Sequence, residues 1–250
     1  MLAFLRLSLL GLHCAIASAL GLLFTLCRPF HPDNSRLCAR LFGLPALRIL
    51  GLRVEADVDS LVALHRPCVI VANHQSNHDL FVIGSLVPPR TVSMGKKSLK
   101  WIPLFGQLYW LAGNLLVDRE NARNAVRALQ SGATMLKSRN ANLFVFPEGT
   151  RNPKPGLLPF KKGAFQLAMA AGVPVVPLCV SSYPAQLDLS RRTSAVVRVR
   201  SLPPIETQGL GQAELAQLVR KVREDMLACI AELDAEPANE AEAVAESYGK

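Results

Sequence analysis

Apolar and polar positions divide this chain into a long apolar head, a body of short strand-like runs separated by helical periods, and a polar tail. Leu7 to Cys27 is a stretch of 21 residues without a formal charge, rich in Leu and Ala. That length suffices to cross a hydrocarbon core or to lie within one leaflet. Leu37 to Leu52 is a second apolar stretch, studded with arginines and interrupted by Pro45. It reads as a helix at a membrane interface or as a surface helix packed on the body. The body then alternates. Short runs rich in β-branched residues predict strands at Val69–Ala72, Thr91–Met94, Asn114–Val117, Asn142–Phe146, Val173–Val180 and Ala195–Val199. Between them, helical spacing of apolar residues predicts helices at Leu80–Leu86, Ala122–Leu136 and Phe160–Gly172, with a long one at Gln212–Leu233. An Ala/Glu-rich tail follows and reads as disordered. The alternation of strands and helices is that of an α/β domain.

Two of the strand-like runs end in clusters of chemistry-bearing residues. Val69–Ala72 runs into Asn73-His74-Gln75-Ser76-Asn77-His78-Asp79, and Asn142–Phe146 into Pro147-Glu148-Gly149-Thr150-Arg151. Polar clusters at strand exits are the pattern of a site built along one edge of an α/β sheet. His74 and Asp79 are five apart, which on a continuous helix separates them by roughly 140°. They meet only if the chain turns after the strand and Asp79 opens the next helix. The carboxylate then fixes one imidazole nitrogen, and the other is free to take a proton from a hydroxyl. The plainer alternatives are Asp79 as a helix cap and His74 as a hydrogen-bonded turn residue. Glu148 and Arg151 have their own plain alternative, a surface turn with a weak ion pair. His74 and His78 are spaced like half of a zinc site on a helix, but Gln75 stands where the zinc-protease pattern requires Glu. Gly95-Lys96-Lys97-Ser98 is not a phosphate-binding loop either, because that loop's first glycine would fall at Arg90.

Charge narrows the partners. The formal net charge is +9, and the stretch from Glu232 onward holds six acids against Lys250 alone, so the preceding residues carry +14. Such a surface favours anionic partners. Few aromatics and no nucleic-acid motif among the basic residues point away from nucleic acid and toward membranes and phosphate-bearing ligands. The six cysteines show no paired spacing, so they read as core residues of a reducing compartment. Ala17-Ser18-Ala19 resembles a signal-cleavage site, yet the apolar run continues through Leu26, which favours retention in the membrane. Arg28, Arg36, Arg40, Arg48 and Arg53 follow the apolar head and only Arg6 precedes it, so the body is expected on the cytoplasmic side.

Four blocks, in this order, resemble the glycerolipid acyltransferase family, whose best-known bacterial member acylates 1-acylglycerol 3-phosphate. They are Asn73 to Asp79, Gly113-Asn114-Leu115-Leu116-Val117-Asp118-Arg119, Phe146 to Arg151, and Val173-Pro174-Val175-Val176-Pro177. The resemblance covers residues 65 to 205. Leu116 and Val117 depart from it, standing where an aromatic and Ile are common. The family implies a mixed sheet flanked by helices, with a membrane-associated helical segment at residues 1–55, an acyltransferase domain at 56–234 and an acidic tail at 235–250. It implies His74 and Asp79 as a catalytic dyad acting without an acyl-enzyme, consistent with the lack of a Gly-x-Ser-x-Gly nucleophile elbow. Arg151 is then the residue holding the acceptor phosphate, with Glu148 orienting the glycerol or Arg151, Gly149 and Thr150 beside them, and Arg119, Lys96 and Lys97 as further contacts to phosphate or donor. No cofactor or metal is implied, since the acyl group arrives on acyl-CoA or acyl-carrier protein. The expected acceptor is a lysophospholipid, with another lyso-lipid or glycerol 3-phosphate as alternatives, and the expected location is a bacterial inner membrane. Two other classes remain open on the same residues: a lipid-binding protein, and a hydrolase that activates water.

Overall fold

The computed structural model describes residues 1–118, 132–134, 136 and 138–236. Arg119, most of the helix expected at Ala122–Leu136, and residues 237–250 of the acidic tail lie outside these. The first helix, α1 (Leu2–Cys27), is followed by α2 (Asn34–Leu50), β1 (Leu52–Asp57) and a single turn, α3 (Asp59–Val62). Next come β2 (Val69–Ala72), α4 (Asp79–Leu86), β3 (Thr91–Lys96), a 3₁₀ turn (Lys97–Trp101), α5 (Phe105–Leu111) and β4 (Leu115–Val117). The remainder is β5 (Asn142–Val145), α6 (Gly163–Ala171), β6 (Val175–Val180), β7 (Ala195–Ser201) and α7 (Leu215–Ala235).

The seven strands form one sheet in the order β1-β7-β6-β2-β5-β3-β4. From β6 to β4 all neighbours are parallel; β7 joins β6 antiparallel and β1 joins β7 parallel. It is a mixed sheet, and every residue of β2 and β6 is buried. Those two strands are uninterrupted apolar runs because helices cover both faces of a mostly parallel sheet. Val69 and Val71 point into a core with Phe165 of α6 and with Val222 and Met226 of α7. Ile70 and Ala72 point the other way, onto Val82 and Ile83 of α4 and Leu47 and Leu50 of α2.

Three differences from the sequence expectation have physical reasons. Pro45 does not interrupt its helix; α2 runs through it, anchored by packing on α4. The contact is close because Gly43 has no side chain: a Cβ there would lie 2.7 Å from the Phe81 carbonyl oxygen. Leu52–Asp57 is a strand of the main sheet, so the expected boundary between residues 55 and 56 falls within β1. Its pattern is obscured in the sequence because only Leu52 among its six residues is buried.

Helix α1 is inverted relative to a helix of a soluble core. Its buried residues are Arg6, Ala17, Ser18, Gly21 and Thr25, which are polar or small, while Phe4, Leu12, Ile16, Leu20 and Leu23 face outward. Arg6 donates to the carbonyl oxygens of Leu189, Arg191 and Arg192 and to Ser194 Oγ, all between β6 and β7. Just beyond its other end, Phe30 N–H donates to the oxygen of Leu111, the last residue of α5, at 2.8 Å. Both ends of this apolar helix are therefore fastened to the body.

Candidate active site

Three parallel strands, β6, β2 and β5, end side by side, with Ala72 opposite Leu178 and Val71 opposite Val145. This register brings three loops to one edge: Ser181–Tyr183, Asn73–Asp79 and Phe146–Asn152. Asn73, the first residue beyond β2, is buried and clasps the Val180 peptide, donating through Nδ2 to its oxygen and accepting its N–H at Oδ1, both at 2.8 Å. The β2 loop is thereby locked to β6 before the chain turns.

The turn delivers Asp79 as the first residue of α4, where it folds back onto His74. His74 Nδ1 lies 2.8 Å from Asp79 Oδ2. The same oxygen accepts the N–H groups of Gln75, at 2.6 Å, and Ser76, at 2.8 Å. Asp79 Oδ1 accepts the Tyr183 hydroxyl at 2.7 Å. Four donors thus surround the carboxylate, three on Oδ2 and one on Oδ1. A fully buried charge is tolerable only when satisfied in this way, and Asp79 has no exposed side-chain surface. Burial, followed by the Asp79 charge, pushes the Tyr183 phenol well above its ordinary value, so Tyr183 is a neutral donor. Because Oδ2 accepts, the His74 proton sits on Nδ1 and the lone pair on Nε2. No described residue bonds Nε2, and the His74 side chain is 15% exposed. Phe146 stacks on the imidazole, with ring centroids 3.9 Å apart and planes 14° from parallel.

The loop after β5 holds the backbone on which His74 sits. Glu148 is buried; its Oε1 accepts the His74 N–H and its Oε2 the Leu158 N–H, each at 2.9 Å. Asn152 N–H donates to His74 O at 2.7 Å. His74 is therefore gripped through both sides of its own peptide. Burial raises the Glu148 pKa above the usual carboxylate range, and the two amide donors pull it back. Gly149 has φ +74°, a left-handed conformation, and a Cβ there would stand 2.8 Å from Lys161 Cε. The left-handed φ is what favours glycine there, since the Lys161 chain end could swing aside for a side chain. Thr150 and Arg151 are exposed, and Arg151 Nη1 donates to Asn77 Oδ1. No described carboxylate lies within ion-pair distance of Arg151.

Lys96 and Lys97 stand at the same edge, at the end of β3, which is two strands and roughly 10 Å from β2 at the usual strand spacing. Lys96 is exposed, and Lys97 Nζ pairs with Asp118 Oδ2 at 3.1 Å. His78 does not join His74; its Nδ1 lies 3.0 Å from Ser76 Oγ. Next to the lysines, a groove of about 650 Å³ is lined by Lys97, Lys100, Gln107, Trp110, Leu115 and Asp118. The second sequence block contributes Asn114, whose Oδ1 accepts from Ser35 Oγ, Ser93 N and Ser93 Oγ. It ties α2 to β3 and does not reach His74's loop by any hydrogen bond. Tyr183, Asn152 and the Asn77–Arg151 contact were not foreseen from the sequence. Tyr183 lies 104 residues from Asp79, and only its position just past a strand exit hinted at the site.

Known proteins resemble the chain along nearly its whole length. It is 40% identical over 238 residues to the 1-acyl-sn-glycerol-3-phosphate acyltransferase of Escherichia coli, covering 95% of this chain and 97% of that one. It is 38% identical over 196 residues to the human 1-acyl-sn-glycerol-3-phosphate acyltransferase alpha, covering 78% and 69% respectively. The crystal structure of the 1-acyl-sn-glycerophosphate (LPA) acyltransferase of Thermotoga maritima superposes with a TM-score of 0.73 at 26% identity, covering 95% of this chain and 100% of that one. The acyltransferase family matches residues 53–181, the span from β1 to the loop beside Tyr183 that builds the dyad. A family match over more than half of the chain, together with 40% identity over 95% of it to the Escherichia coli enzyme, establishes that this chain belongs to the acyltransferase family.

Proposed function

We propose that this acyltransferase moves a fatty acyl group from acyl-CoA or acyl-carrier protein to the sn-2 hydroxyl of 1-acyl-sn-glycerol 3-phosphate, giving phosphatidic acid. The observation that carries the reading is a His74 ring held by Asp79 through Nδ1 with Nε2 unbonded at a sheet edge. The relatives' names supply the acceptor. His74 Nε2 removes the hydroxyl proton as the oxygen attacks the thioester carbonyl. The tetrahedral intermediate collapses, breaking the C–S bond, and the imidazolium returns its proton to the thiolate. Acyl lipid and free thiol leave, with no covalent enzyme intermediate. Both reacting groups are carried by the substrates, so the chemistry calls for no cofactor, and the protein's contribution is a base, orientation and electrostatics.

Arg151 holds the acceptor phosphate in this reading, its guanidinium matching two phosphate oxygens. Glu148 acts through His74, whose amide it binds, while Gly149 and Thr150 shape the loop beside Arg151. Lys96 and Lys97, at the end of β3, stand on the route from the site toward β4; in this reading they and Arg119 serve the acceptor phosphate or the anionic donor. Helix α1 lies along the body with its Leu-rich face in lipid. It does not cross the bilayer while Arg6 is bonded to the body, because both of its ends then stay on one side. That side is the cytoplasmic side of a bacterial inner membrane, where both donors occur.

The test is an acyl-transfer assay on detergent-solubilised wild type and His74→Ala. It offers 1-acylglycerol 3-phosphate, glycerol 3-phosphate and neutral lysophospholipids, with acyl-CoA and then acyl-carrier protein as donors. Phosphatidic acid made by wild type and not by the variant is the expected result. Acylation of a different acceptor overturns the substrate, release of free fatty acid alone turns the reading to a hydrolase, and full activity of His74→Ala removes the dyad.

A further inference from the structure

We infer that the segment from Lys97 to Trp110 is a second membrane-contacting element, seated in the headgroup region of a leaflet bearing anionic lipid. The inference rests on the reading of α1 as lipid-embedded and extends it to a part of the fold that α1 does not include. The segment comprises the 3₁₀ turn, a connection and α5. Trp101 is 76% exposed, Ile102 45%, Leu104 46% and Trp110 53%. A soluble surface rarely gathers large apolar side chains this densely unless something covers them.

The backbone reinforces their display. Leu104 has φ +62° and ψ −52°, and Phe105 N–H donates to Pro103 O at 2.7 Å. That is a γ-turn of the rare, strained kind, with a leucine at its apex. Strain at a non-glycine residue holds an apolar side chain outward, an arrangement with no benefit in water.

Continuity and charge identify the occupant. Helix α5 packs on α1, where a Cβ on Gly21 would lie 3.1 Å from Leu108 Cδ1. The Phe30 ring beyond α1 meets Trp110 edge-on, with centroids 4.9 Å apart. The segment therefore adjoins α1 through α5 and Phe30, and exposed Trp110 stands beside the apolar helix. At this segment stand Lys96 and Lys100, without a carboxylate partner among the described residues. Lys100 Nζ sits 4.4 Å from the Trp101 ring centroid. Tryptophan beside lysine is the pairing that suits the boundary between acyl chains and anionic headgroups. An acidic protein, including the acyl-carrier donor, would match the lysines but not the exposed Trp101, Ile102 and Leu104.

The chain provides its own probe, since its two tryptophans are Trp101 and Trp110. Full-length Trp110→Phe, bound to phosphatidylcholine/phosphatidylglycerol vesicles, then reports on Trp101 alone. Brominated acyl chains should quench most of its emission, and aqueous acrylamide should quench it several-fold less than free N-acetyltryptophanamide. Weaker bromine quenching is expected on pure phosphatidylcholine; equal quenching there overturns the anionic preference. Vesicle-bound protein whose Trp101 ignores bromine and is fully open to acrylamide overturns the proposal. So does a Trp101 that responds only when acyl-carrier protein is added. Flotation of wild type with the vesicles reads α1 separately: protein that does not float removes the α1 reading and this one with it, whereas floating protein with an unquenched Trp101 removes only this one. As a functional arm, Trp101→Glu should slow acylation of acceptor presented in vesicles several-fold and leave a short-chain soluble acceptor unaffected. Equal loss on both acceptors, or no loss on either, counts against the segment's contact with lipid.

Discussion

Tyr183→Phe isolates one bond of the dyad's support. The substitution removes a hydroxyl and keeps the ring, which is fully buried, so packing is preserved while Asp79 Oδ1 loses its donor at 2.7 Å. A hydrogen bond to a charged group contributes about 1.5–3 kcal/mol net, and here the abandoned oxygen is buried. For a chain of this size, each kcal/mol corresponds to about 2–4 °C in Tm, so a decrease of roughly 3–12 °C is expected in a fixed detergent at a fixed scan rate. The effect on turnover should be smaller. Asp79 Oδ2 keeps the Gln75 and Ser76 amides and His74 Nδ1, all from its own turn, so the imidazole stays oriented. We expect kcat to fall less than about tenfold, with KM for both substrates unchanged, which is below the 10²–10⁴-fold span of a general base. An unchanged Tm would mean that the Tyr183 bond contributes nothing. A kcat loss as deep as that of His74→Ala would refute the argument that the two backbone amides suffice to hold Asp79.

The other expectations concern the loops around the dyad. Glu148→Gln replaces one of two acceptor oxygens by a donor facing an amide, costing about 1–3 kcal/mol and lowering kcat through a looser His74, measurable by melting and steady-state kinetics. Because burial raises the Glu148 pKa, the folded protein keeps a proton that the unfolded chain has released. Stability attributable to Glu148 is thus present at pH below the ordinary carboxylate value and declines as pH rises through the folded value. Denaturation across mildly acidic pH should show that slope in wild type and not in Glu148→Gln. Arg151→Ala should raise the acceptor's KM at least tenfold with little change in the donor's; an unchanged acceptor KM rules out phosphate contact. Arg6→Leu leaves the Leu189, Arg191 and Arg192 carbonyls without their donor. Hydrogen exchange of residues 2–12 should accelerate while that of β2 and β6 stays slow, and unaltered exchange in α1 would show that Arg6 does not fasten it.

Much of the site is local in the chain. His74 and Asp79 belong to one strand–turn–helix unit, and the turn that joins them is made by residues 73 to 79 alone, so the pairing is legible from an apolar strand running into that motif. The Glu148–Arg151 block is equally local, yet its part is not. The family resemblance sets Glu148 beside Arg151 at the substrate, and only the fold shows that both of its oxygens also bind backbone amides, one of them in a loop 74 residues away. Tyr183 is beyond local reading altogether. Its bond to Asp79 exists because β6 pairs with β2, a choice made by strand order and not by any motif.

By itself, the sequence determined the alternation of strands and helices, the apolar head and the family blocks, and it offered the His74–Asp79 pairing as one of several readings, because each of these is written in the period of apolar residues or within a few neighbouring positions. The tertiary structure decided what depends on distant segments meeting. It placed β1 at the sheet edge, carried α2 through Pro45, turned the polar stripe of α1 onto the body through Arg6, and assembled Tyr183, Glu148 and Asn152 around His74. These rest on packing and on hydrogen bonds between residues some 74 to 186 positions apart. A buried polar group must find a partner wherever the fold brings one, and that partner carries no mark in its own neighbourhood of the chain.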